Sequence, residues 1–172
     1  VGLCWSSCTN EVDEFIGNIE PSTRSVSTAL NANLASLFTG GAATLTSAEI
    51  KEVNDAYAKM TSINCYRNID EAVRNKTSYA GTIFLDDTYA SAYFRKGSLA
   101  FPPYGILASS MEHEFILMYQ RHVQGKKVDT DKEKRDTGMM EFELAFYQGI
   151  IRYIHAGYSW TFKGEDGDPS YQ

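Results

Sequence analysis

Apolar positions along the chain change period twice, dividing it into a helical first part, a short extended middle and a helical end. Val26, Leu30, Leu34, Leu37 and Phe38 recur at helical spacing over Arg24 to Phe38, and Gly40-Gly41 supplies a C-terminal stop. A clearer helix follows Thr46 or Ser47. Glu49 and Glu52 occupy its first turn, where the helix dipole favours acids, and Ile50, Val53, Tyr57 and Met60 form its stripe. A shorter helix is predicted over Asn68 to Lys76. The spacing then changes to that of strands. Thr82 to Leu85, Ala90 to Phe94 and Ser98 to Phe101 are rich in β-branched and aromatic residues and are separated by Asp86-Asp87 and Lys96-Gly97. They predict two or three strands of a small, mainly antiparallel sheet. Pro102-Pro103 ends that pattern, and a long helix is predicted from Leu107 to Val123, stopping near Gly125. A charged link, Lys126 to Arg135, leads to a second long helix over Thr137 to His155. That helix is apolar at nearly every turn, which predicts a central position.

The elements imply an α+β fold, several helices packed on a small sheet with two long helices at the C-terminal end. A chain of 172 residues with 43% hydrophobic content can bury a proper core, and its length favours one domain. We place an irregular lead-in at 1–21, closed by Pro21, the domain at 22–162, and a flexible Gly/Asp/Pro-rich tail at 163–172. Trp160 and Phe162 anchor the approach to that tail. Net charge is −6, and the two basic clusters, Lys126-Lys127 and Lys132 to Arg135, sit among acids, so nucleic acid is not an expected partner. No run of about 18 apolar residues exists to span a membrane. Cys4, Cys8 and Cys65 are too few for a disulfide scaffold. They allow one bridge, Cys4–Cys8 or Cys4–Cys65, with an odd thiol left over, or else buried or incidental thiols. The start at Val1 leads us to expect a piece of a longer product, with an extracytoplasmic or secreted setting as one outcome.

The chemistry concentrates in His113-Glu114-Phe115-Ile116-Leu117-Met118-Tyr119-Gln120. In a zinc-peptidase HExxH helix, two histidines four residues apart grip the metal and the intervening glutamate activates its water. Here the first histidine and the glutamate stand, and Leu117 holds the second histidine's position. Ala92-Tyr93-Phe94 and the Gly97 to Phe101 strand precede the motif, Tyr119-Gln120 follows it, and Glu141-Phe142-Glu143 opens the next helix. This order resembles the zincin-like metallopeptidases, in particular the gluzincin type. Tyr-Gln and Glu-x-Glu are similar to small bacterial members carrying His-Glu-x-x-His-x-Tyr-Gln. The resemblance covers residues 80–156.

The resemblance implies a zincin-like fold, with His113 as first zinc ligand, Glu114 as general base and Glu141 as third ligand. Glu143, two positions along the same helix, points elsewhere and is the weaker alternative. Leu117 has no lone pair to offer. His122 lies nine residues after His113, on the opposite side of the helix, and His155 is over three turns beyond Glu141. The expectation is a pseudo-metallopeptidase that needs no cofactor and works as a binding module for a protein or peptide. Tyr93, Phe94 and Tyr119 would border its remnant cleft. The competing expectation is a zinc-dependent hydrolase with an atypical ligand set. Other chemistries find less support, since no G-x-S-x-G elbow exists, Gly40-Gly41 reads as a helix stop, and Asp86-Asp87 reads as a turn.

Overall fold

In the computed structural model, residues 29–126 and 134–156 are described. The expected lead-in, the early part of the first expected helix, most of the charged link and the tail with Trp160 and Phe162 lie outside them. Among the described residues, five helices and three strands follow in the order α1 (Ala32–Leu37), α2 (Ser47–Thr61), α3 (Asn64–Lys76), β1 (Ile83–Leu85), β2 (Tyr93–Arg95), β3 (Ser98–Phe101), α4 (Ala108–His122) and α5 (Lys134–Ala156). The α+β character agrees with the sequence pattern.

Within the first expected helix, α1 begins only at Ala32. Asn31 is its N-cap and accepts from the Asn33 amide at 2.9 Å. Asn54 of α2 holds the entry, accepting from the Asn31 amide at 2.8 Å and donating to the Ala29 carbonyl at 3.0 Å. Helix α2 starts with a reciprocal capping box: Glu49 Oε2 accepts from the Thr46 amide at 2.6 Å, and Thr46 Oγ1 accepts from the Glu49 amide at 3.3 Å. Hydrogen bonds from the Thr46 backbone and side chain hold the Glu49 carboxyl below its ordinary pKa. Thr46→Ala is expected to cost about 1 kcal/mol, read as a lower urea midpoint with an unchanged slope. Helix α3 begins four residues before the expected Asn68.

The sheet order is β1-β3-β2. Strand β2 pairs with β3 antiparallel and β1 pairs with β3 parallel. The sheet is therefore mixed rather than mainly antiparallel, because β3 enters beside β1 after the β2 hairpin in a direction no local signal records. Lys96 (φ 50°) and Gly97 (φ 79°) form the two-residue turn of that hairpin, and the left-handed backbone at both positions matches the strand twist. Register places Ile83, Leu99 and Phe94 in one buried row, and Phe84, Ala100 and Tyr93 in the opposite row. The run leading into β1 is tied to the chain after α1. Tyr79 donates to the Leu37 carbonyl at 2.7 Å, Gly40 to Gly81 at 3.1 Å, and Ile83 to Gly41 at 2.8 Å.

The central helix is α4, not α5. Met111, Phe115, Ile116, Leu117 and Met118 of α4 are all buried. They join a core with Val53, Tyr57 and Met60 of α2, Tyr66 and Val73 of α3, and the inner sheet row. Helix α5 buries Met140, Leu144 and Ile151 but exposes Phe142, Phe146 and Tyr153. Its apolar content is spread around the helix, while its contact with the core is a single stripe. Cys65, buried in the first turn of α3, is disulfide-bonded; Cys4 and Cys8 lie outside the described residues. No helix among the described residues is long and apolar enough to cross a membrane.

Candidate functional site

Helices α4 and α5 bring together the three residues that motif spacing singled out. His113, in the second turn of α4, places Nε2 3.5 Å from Glu141 Oε2 and 3.9 Å from Glu114 Oε1. The His113 side chain is 32% exposed and that of Glu141 48%, so the pair lies at the surface. Glu114 is 3% exposed. Burial pushes its carboxyl up to about 8, and the charge of Glu141 adds to the rise. A hydrogen bond from the Phe94 backbone and the positive charge of Arg121 oppose it. Glu114 Oε2 has no hydrogen-bond partner, which suits a carboxyl held neutral at physiological pH.

Leu117 follows His113 by one turn and is 7% exposed, packed into the core. Its isobutyl group has no lone pair to offer an ion beside His113 and Glu141. Among the described residues, no group of three His, Cys, Asp or Glu side chains could hold a metal ion. A catalytic zinc takes three protein ligands and a water, and on the exposed side of this site His113 and Glu141 supply two side-chain donors.

The two glutamates of Glu141-Phe142-Glu143 divide their work. Glu143 turns away from His113, pairs with Lys126 and accepts from Gln120 Nε2 at 3.3 Å. Gln120 is fully buried and also donates to the Met140 carbonyl at 3.2 Å. It clamps α5 onto α4 next to the residue that faces His113. A second tie runs from Gln148 Nε2 to the Ser109 carbonyl at 3.3 Å, and Arg152 approaches the buried Glu112 at 3.8 Å. Burial raises the Glu112 pKa despite its neighbours Tyr66 and Arg152.

The three residues expected to border the cleft sit differently. Tyr93 lies on the outer sheet row, donates to Asp86 Oδ2 at 2.5 Å, and meets the Tyr89 ring at a centroid distance of 4.8 Å. That hydrogen bond, more than burial, raises the Tyr93 hydroxyl to about 12. Phe94 is buried, its ring packed on Tyr79 at 4.7 Å and His122 at 6.4 Å. What Phe94 offers toward α4 is backbone as well as ring. Tyr119 is half-buried at the margin of the core.

Two features went unread in the sequence. Arg121 lies two turns after Glu114, donates from Nη1 to the Phe94 carbonyl at 3.3 Å, and stands 6.0 Å from the Phe94 ring centroid. The seven-residue spacing that puts Glu114 and Arg121 on one helix face was the available signal. The other is Asp70, only 1% exposed. It accepts from Tyr57 Oη at 2.8 Å and Arg74 Nε at 3.0 Å. Burial raises its pKa, against the lowering effect of those two partners. Beside it, a shallow polar cleft of about 470 Å³ is lined by residues including Asn33, Arg67 and Arg74.

Comparison with known proteins finds no matching family model, no similar curated protein and no similar solved structure.

Proposed function

We propose that this chain is a non-catalytic relative of the zincin-like metallopeptidases, and that it binds an extended protein or peptide segment in the cleft between β2 and the start of α4. The observation that carries the reading is the meeting of His113 and Glu141 at 3.5 Å beside a buried Leu117. The Glu-x-Glu pattern on α5 and the His-Glu pattern on α4 are far apart in sequence, and an arbitrary helix pair has no reason to bring them together. Refilling one ligand position with core hydrocarbon removes the metal and keeps the packing.

Leu117→His tests this descent. The variant is expected to bind one equivalent of zinc, seen by metal analysis after dialysis and abolished by adding His113→Ala. Wild-type protein should retain far less than one equivalent. A Leu117→His protein that folds and binds no zinc would remove the support for a retained metal cradle. The second reading, a zinc-dependent hydrolase with an atypical ligand set, draws on Glu114, whose carboxyl near 8 is poised for proton transfer near neutrality. One tightly held zinc in wild-type protein would favour it.

A further inference from the structure

Strand β2 lies at the end of the β1-β3-β2 order, so one of its sides faces away from the sheet. The two-residue turn fixes which peptide groups point that way. Arg95 and Ser98 flank the turn as a hydrogen-bonded pair, and the next pair, Phe94 and Leu99, alternates. Leu99 accordingly sends its amide away from β2, to the Thr82 carbonyl at 3.0 Å. Phe94 must therefore turn both its amide and its carbonyl outward. An extended segment adding to this sheet would have to pair with those two groups.

The carbonyl is already taken by α4, where Arg121 Nη1 donates to it at 3.3 Å, and the amide lies close enough to the Glu114 carboxyl to lower its pKa. We propose that Glu114 and Arg121 form a latch over β2, and that a partner segment docks by displacing Arg121 from the Phe94 carbonyl. This rests on the proposal that the cleft binds an extended segment. Arg121 is the movable half. Its hydrogen bond to Phe94 is long, its Nε is buried without a partner, and no carboxylate lies within 4.0 Å of it among the ion pairs of the described residues. A poorly satisfied guanidinium loses little on leaving and gains its missing partners outside. Glu114 is the fixed half, since it is enclosed by the core.

The surroundings indicate the partner's chemistry. Arg95 and Lys96 are exposed at the hairpin, and a displaced Arg121 would add a third cation there, in a chain whose net charge is −6. An extended segment bearing acidic side chains complements that rim.

Amide hydrogen exchange by NMR on wild type, Arg121→Ala and Arg121→Lys reads the latch directly. In Arg121→Ala, the β2 amides should exchange about tenfold faster while Leu99 and Ile83 keep wild-type rates. Arg121→Lys, which keeps the charge and the stem, should fall between the two and guards against a misfolded alanine variant. Unchanged β2 exchange in a folded Arg121→Ala protein overturns the latch. Selection of a phage-displayed library of random linear dodecapeptides then reads the binding proposal. Recovery should be at least tenfold higher on Arg121→Ala than on wild type, with acidic sequences enriched. Peptides enriched equally on both proteins overturn the latch. Loosened β2 exchange with no peptide enriched on either protein supports the latch and overturns the binding function of the cleft.

Discussion

Glu114→Gln is expected to stabilise the protein at pH 8 to 9 while leaving it nearly unchanged at pH 5. The Glu114 carboxyl ionises near 4.5 in an unfolded chain and near 8 in the folded one, chiefly because burial penalises the charge. Below 4.5 both states are protonated and the group has no effect. Between 4.5 and 8 the unfolded chain releases the proton and the folded protein keeps it, so stability falls as pH rises. Above 8 both states are ionised and the loss is complete. At about 1.4 kcal/mol per pH unit, the ceiling is roughly 5 kcal/mol, and local relaxation makes 2–3 kcal/mol the reasonable size. Glutamine mimics the protonated acid, including an oxygen for the Phe94 amide, and has no charge to release. Urea unfolding of both proteins across pH 5–9 should give curves that diverge with rising pH and run parallel above 8. Asp70 and Glu112, also raised by burial, stay in both proteins and drop out of the difference. A variant destabilised equally at every pH would mean that Glu114 is ionised in the fold and held by its partners.

The other large effect is predicted at Gly81. A Cβ there would lie 2.2 Å from the Gly97 carbonyl oxygen and 2.4 Å from Ser98 Oγ. The first of these is backbone and belongs to the hairpin turn, so it cannot rotate aside. Gly81→Ala must push the turn off the segment that feeds β1, at an expected cost above about 3 kcal/mol. Gly41→Ala is the matched control. Its added Cβ meets nothing within 4 Å, although φ is +71°. Only the left-handed backbone is penalised, by about 1 kcal/mol. Thermal and urea unfolding should separate the two variants clearly. A Gly81→Ala protein as stable as Gly41→Ala would show that the two backbones approach less closely.

The elements most legible in the sequence are those set by neighbouring residues. Helix α2 follows from Thr46, Glu49 and a stripe at Val53, Tyr57 and Met60, all within a few turns. The α1 start misled because Val26 and Leu30 continue the helical spacing, whereas Asn31 offers its side chain to the backbone two residues on and caps there. Helix α5 misled through composition. Counting apolar residues gives no direction, and Phe142, Phe146 and Tyr153 are exposed in spite of their type. The true centre, α4, is disguised by Glu112, Glu114 and Gln120, polar residues that are nonetheless buried. The parallel β1–β3 pairing joins segments more than ten residues apart, and no turn residue specifies it. At the site, the His-Glu and Glu-x-Glu patterns drew attention to His113 and Glu141, which meet at 3.5 Å. The contact of Arg121 with Phe94 was not readable, since it depends on which peptide groups of β2 face outward.

The run after α1 takes up the Ile83 amide on the outer side of β1. A strand joining the sheet there would have to displace backbone, whereas on the β2 side it would have to displace the Arg121 side chain. The two ends of this small sheet are thus guarded by different means.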